Sequence, residues 1–176
     1  MINRFSAWRG TTSFKVEIPL DWELPFVAWM VIPYYSFYLY FPWAAWVGAA
    51  ERHREQGLVF FQRLIASAWV AFACFLIFPV EIELRSQALD AEGLFGWMMS
   101  ALHEADTPYN AWPSIHVLLS ILVVLFVRHI GVKDGTWNAP KALVVWVACA
   151  LLGASPALIQ HPDVFDGISG TALAFG

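Results

Sequence analysis

From Leu24 to Ala50 the chain runs without a single charged residue. That constrains the fold more than any other feature, because a helix crossing a bilayer needs about 20 largely apolar residues. Pro33 and Pro42 fall inside the run, and a membrane helix tolerates such kinks where neighbouring groups satisfy the freed backbone. Three more apolar runs are bounded by charge: about Leu58 to Val80, Pro113 to the residue before Arg128, and Ala142 to Ile159. A fifth begins near Val164 and reaches Gly176. It rises only about 20 Å at about 1.5 Å per residue, short of the roughly 30 Å hydrocarbon core. We therefore expect an all-α, polytopic transmembrane helix bundle with about five spans, the last incomplete or cut from a longer chain. Residues 1–23 are expected to form an interfacial N-terminal segment, and residues 24–176 a single transmembrane domain.

Composition agrees. Of the 176 residues, 59% are hydrophobic and 14% charged, where soluble domains carry about 25% charged residues. The apolar residues come in long runs rather than amphipathic stripes, so lipid is the expected solvent. A net charge of −4 excludes the basic excess that a nucleic-acid binder carries. Cys74 and Cys149 lie inside separate apolar runs without metal-type spacing and read as small packed hydrophobes. Arg4, Arg9 and Lys15 are spread among Phe5, Trp8 and Phe14; this lacks the compact apolar core of a signal peptide and fits a segment lying on the bilayer. Trp29, Trp43, Trp46, Trp112 and Trp137 read as an interfacial belt.

Helix parity assigns sides. The connections after the first and third runs share one face, which collects Arg52, Arg54, Arg63, Arg128, Lys133 and Lys141 and is expected to be cytoplasmic. The opposite face holds Arg85 and, if no helix precedes Leu24, the basic N-terminus. It also holds the longest polar connection, Glu81 to Trp112, within which Gly93 to Leu102 is apolar enough for a short interfacial helix. His53, His103 and His129 have no distinctive context and read as interfacial.

Two segments carry chemistry. Asp106-Thr-Pro-Tyr-Asn-Ala-Trp-Pro-Ser-Ile-His116 ends that connection and opens the third run. Proline suits the first helical position, so Pro113 is expected to start the helix with Ser114 and His116 in its first turn. Free N–H groups and the positive dipole end favour an anion there. The second segment, Gln160-His-Pro-Asp-Val-Phe-Asp-Gly-Ile-Ser-Gly170, closes the fourth run and opens the fifth. Pro162 again marks a helix start, with His161 just before it. Parity puts both histidines on one membrane face. Two imidazoles there divide a phosphoryl transfer, one attacking phosphorus and one protonating the departing oxygen, with a carboxylate orienting the attacker. Asp166 is the nearest carboxylate to serve, and Asp163 the alternative. Tyr109 and Asn110 fit either substrate contact or ordinary turn chemistry, Asp106 either recognition or loop capping, and Arg85 either a phosphate ligand or a surface charge.

The Pro-Ser-Ile-His and His-Pro-Asp-Val-Phe-Asp wording resembles the type 2 phosphatidic acid phosphatase superfamily, whose membrane members carry Pro-Ser-x-His and a later His-x-x-x-Asp. The Pro-Tyr-Asn-Ala-Trp-Pro-Ser-Ile-His-Val stretch looks like the branch that includes sphingolipid head-group transferases, and the resemblance extends from about Leu20 to the end. It implies His161 as the nucleophile that becomes phosphohistidine, His116 as general acid and Asp166 as the orienting carboxylate. It also implies Ser114 as a phosphate contact, and neither metal nor cofactor; Arg85, Asn110 and Tyr109 are the further candidates for substrate contact. The implied activity is hydrolysis of a lipid phosphate or prenyl diphosphate in a plasma or inner membrane, at the non-cytoplasmic face. A phospho-head-group transferase of the inositol phosphorylceramide synthase type and a non-catalytic lipid-binding relative are the alternatives. Three departures bear on these: Asp166 follows His161 by five residues where the family pattern has four; the family's Ser-Arg pair reads as Ala154-Ser155 or Ser155-Pro156, without arginine; and its earlier lysine and Arg-Pro motif has at best Arg85-Ser86 as a remnant. Charge stabilisation then falls on Arg85, the two helix ends and backbone N–H groups.

Overall fold

A computed structural model of the chain describes residues 25–77, 93–105 and 113–159, together with Gly170, Thr171 and Ala174. Every regular element among them is helical. A 3-10 turn at Ala28–Met30 leads into α1, Val31–Ala49; a second at Glu51–His53 leads into α2, Arg54–Ile77. Then come α3, Gly93–Ala105, α4, Ile115–Lys133, and α5, Ala139–Ile159.

The helix α4 is the axis of the bundle. Its apolar window is 56% buried, against 17% for the window within Glu51–Ile77 and 28% for Ala139–Ile159. Leu118 to Val124 are buried without interruption, on every side of the helix. A helix apolar all round belongs in the middle, and α1, α2 and α5 pack around this one. The outer helices keep Trp46, Trp69, Leu143 and Val144 exposed, the pattern of faces turned to lipid rather than water. Cys149 is buried and Cys74 half-buried, both as free thiols, in line with their reading as packing residues.

Three helical segments are long and apolar enough to cross a membrane: Glu51–Ile77, Ile115–Lys133 and Ala139–Ile159. That is fewer than the expected five. The first run does form a helix, with Pro42 inside it, but six aromatic residues with polar ring atoms (Tyr34, Tyr35, Tyr38, Tyr40, Trp43 and Trp46) leave it less apolar than its neighbours. The fifth run lies almost wholly outside the described residues, as does the N-terminal segment. The short helix expected at Gly93 to Leu102 is present and extends to Ala105.

Two close contacts set helix spacing. Where α1 ends and α2 begins, a Cβ built on Gly57 would lie 2.6 Å from the carbonyl oxygen of Gly48, so only glycine permits the backbones to meet. At the end of α4, Gly135 adopts φ 66° with its N–H on the Val132 carbonyl at 3.1 Å, while Thr136 N–H reaches Gly131 O at 2.8 Å. This is the Schellman geometry that satisfies the last carbonyls of a helix. It turns the chain back toward α5.

His53 departs from its reading as an interfacial residue. It is 2% exposed, and its Nε2 lies 3.1 Å from the Asp134 carboxylate. Arg52 Nε donates to the same nitrogen at 3.0 Å, and Lys133 Nζ donates to the Arg52 carbonyl at 3.0 Å. The connection from α1 to α2 is thus pinned to the one after α4, which places both at one end of the bundle as helix parity requires.

Candidate functional site

The opposite end of the bundle brings together the start of α1, α3, the start of α4 and the end of α5. Met30, Val31, Tyr34, Met99, Leu102 and Ile159 form one buried cluster there. Tyr35 Oη donates to the Met98 carbonyl at 3.1 Å, and Val27 N–H donates to Leu158 O at 2.9 Å. These bonds tie α3 and the last turn of α5 to the entry of α1.

Within this end, α4 starts two residues later than the proline rule predicts. Helical geometry begins at Ile115, and Ser114 is the N-cap, with φ −64° and ψ 104°. Its Oγ accepts from Val117 N–H at 3.4 Å. A serine at this position satisfies an otherwise orphaned donor, and that gain outweighs the preference of Pro113 for the first helical position. His116 consequently sits at the second residue of the helix. A hydroxyl carries one proton and two lone pairs, so capping leaves Ser114 able to donate to an anion.

The His116 ring is held between two aromatic rings of α1. Tyr34 and Phe37 each lie 4.6 Å from it, centroid to centroid, tilted by 41° and 55°. Residues three apart project from the same helix face, which is why Tyr34 and Phe37 together fix one imidazole. Ser120 Oγ donates to the His116 carbonyl and so occupies backbone rather than ring.

One contact links the first motif to the chain that follows the second. A Cβ on Gly170 would stand 2.7 Å from the Ser114 carbonyl oxygen and 3.3 Å from Val117 Cβ, and nearby Ala174 is buried in the main core with Val117 and Leu118. Backbone therefore meets backbone at the first turn of α4. At its other end the second motif starts from the last turn of α5, whose Ile159 packs with Tyr34. Ile159 and Gly170 thus both lie at the end of the bundle that holds His116.

His161, Asp163 and Asp166 lie outside the described residues, as do Arg85, Asp106, Tyr109 and Asn110. Of the expected site residues, Ser114 and His116 are described, two positions apart at the start of α4. Ser155 is fully buried and donates to Leu152 O at 2.7 Å. Its hydroxyl is spent on the helix. Among the described residues no three His, Cys, Asp or Glu side chains converge as a metal site would need.

No family model matches the chain, and no curated protein or solved structure proves similar to it.

Proposed function

We propose that the protein is a membrane-embedded, metal-independent phosphohydrolase of a lipid phosphate or prenyl diphosphate, with His116 and His161 dividing the phosphoryl transfer. The observation that supports this reading best is the contact of Gly170 with Ser114, because it is the point at which the chain after one motif meets the first turn of the other. In the proposed reaction a His161 ring nitrogen attacks phosphorus while the bond to the lipid oxygen breaks. His116, as imidazolium, gives its proton to that oxygen. Water then attacks the phosphohistidine, its proton passes to His116, and inorganic phosphate leaves with His161 restored. Asp166 orients His161, with Asp163 as the alternative; Ser114, Arg85, Tyr109 and Asn110 hold the phosphate.

In this reading α1 and the run from Val164 complete a bundle of about five crossings, and the motif end faces away from the cytoplasm. The basic end, with Arg52, Arg54, Arg128, Lys133 and Lys141, faces inward. A head-group transferase uses the same histidines with an alcohol in place of water.

Detergent-purified protein is expected to release phosphate from phosphatidic acid or farnesyl diphosphate in the presence of chelator. His161→Ala and His116→Ala are both expected to remove that activity. If His161→Ala keeps wild-type turnover, the nucleophile assignment is wrong. If wild-type protein binds the lipids without trapping phosphate on histidine after acid quench, the non-catalytic alternative replaces this one.

A further inference from the structure

At the basic end of the bundle, α1, α4 and α5 do not close on one another. They leave a groove of about 480 Å³, within the range of small-ligand sites. Trp43 and Val47 of α1, Val127 of α4, Trp137 of the connection, and Lys141 and Val144 of α5 line it. The groove lies at the far end of α4 from His116; Ile130, also on its wall, is about 21 Å along the helix axis from that histidine at about 1.5 Å per residue. It is separate from the proposed phosphohydrolase site and does not rest on that proposal.

The wall of the groove is built rather than incidental. Trp137 N–H donates to Gly131 O at 2.9 Å, and a Cβ on Gly131 would approach Trp137 Cε3 to 3.0 Å. The indole therefore lies directly on α4, and its place depends on the glycine beneath it. Asn138 Oδ1 accepts from Lys141 N–H at 3.0 Å, which fixes the first turn of α5 and so the position from which the lysine side chain leaves. Lys141 is exposed. Among the described residues, ion pairs join Arg52 and His53 to Asp134, and none engages Lys141.

Charge and polarity select the occupant. Below its rim the groove offers aliphatic side chains and indole faces, to which a hydrocarbon chain is matched. At the rim it offers an ammonium, and tryptophan and lysine are the residues that sit at the level of lipid head groups. The surrounding end carries five cations (Arg52, Arg54, Arg128, Lys133 and Lys141) against the carboxylates of Glu51, Glu55 and Asp134. We propose that this groove binds a phospholipid with a net negative head group, its acyl chain along Val47, Val127 and Val144 and its phosphate at Lys141.

Native mass spectrometry of the full chain in detergent, titrated with phosphatidylglycerol or phosphatidylcholine, tests this. Wild-type protein is expected to retain one phosphatidylglycerol about fivefold more strongly than phosphatidylcholine, the preference that one cation at a membrane surface supports. Lys141→Gln is expected to erase the preference while keeping some of both lipids. Val144→Trp, which fills the groove from an exposed position, is expected to lose both. Equal retention of the two lipids by wild-type protein would identify ordinary annular lipid and overturn the proposal, as would undiminished phosphatidylglycerol binding in Val144→Trp. Should Val144→Trp fail to fold, an unchanged preference in Lys141→Gln overturns the proposal by itself. A second copy of the chain seated in the groove would appear as a dimer that Val144→Trp dissociates, and that outcome also overturns it.

Discussion

At the scale of single residues, His53 shows how one proton decides a contact. Its Nε2 faces both the Arg52 guanidinium and the Asp134 carboxylate, and one nitrogen cannot accept from the first and donate to the second at once. The ring with a proton on Nε2 bonds Asp134; the other tautomer accepts from Arg52. Its Nδ1 is buried without a hydrogen-bond partner among the described residues, so the energetic return of the site comes through Nε2. Arg52 is largely exposed, and its own pair with Asp134, at 3.7 Å, is of the screened kind that contributes little. Asp134→Ala is expected to cost about 1–3 kcal/mol by leaving a buried imidazole short of its partner. Asp134→Asn, which keeps a carbonyl acceptor, is expected to cost less, and thermal unfolding in detergent separates the two. Equal losses in both variants would mean that charge, rather than the hydrogen bond, holds the pair.

At the scale of elements, helix contacts follow from small residues. Adding a methyl group at Gly57 forces α2 away from the Gly48 carbonyl, so Gly57→Ala is expected to destabilise the protein by about 1–3 kcal/mol, the usual cost of overpacking. Chemical denaturation of the mutant beside Gly153→Ala provides the check, since among the described residues a Cβ at Gly153 meets only Val117 Cγ2 at 3.8 Å. Ser114→Ala removes the N-cap of α4 for about 0.5–2 kcal/mol, and the 3.4 Å bond points to the lower part of that range. Apolar runs bounded by charge were enough to place α2, α4, α5 and the short α3 from sequence. Rules of local preference went astray where two of them competed, as at Pro113 and Ser114. The aromatic clasp on His116 had no sequence signal, because nothing in Tyr34 or Phe37 says which helix they will meet. The His53 to Asp134 contact does have one: parity puts the two connections together, and Asp134 is the single carboxylate between Arg128 and Lys141.

At the scale of the whole molecule, the two ends of the bundle differ in kind. One end gathers the first turn of α4, the last turn of α5 and Gly170; the other gathers most of the cations among the described residues and the lipid-sized groove. The helix α4 is long and apolar enough to cross a membrane, and a crossing α4 puts Ser114 and Thr136 on opposite sides. Replacing Cys74 and Cys149 by alanine and adding single cysteines at Ala111, Ser169 or Thr136 converts this into a labelling experiment. In sealed right-side-out vesicles a membrane-impermeant maleimide is expected to reach positions 111 and 169 from outside and position 136 only after permeabilisation. The reverse pattern would preserve the bundle and overturn the proposed orientation, which rests on the excess of Arg and Lys at the Thr136 end. Labelling of 111 and 169 from different sides is the graver result. The segment from Ile159 to Gly170 would then leave the end of α4 that Gly170 touches, and no single phosphate would lie within reach of both His116 and His161.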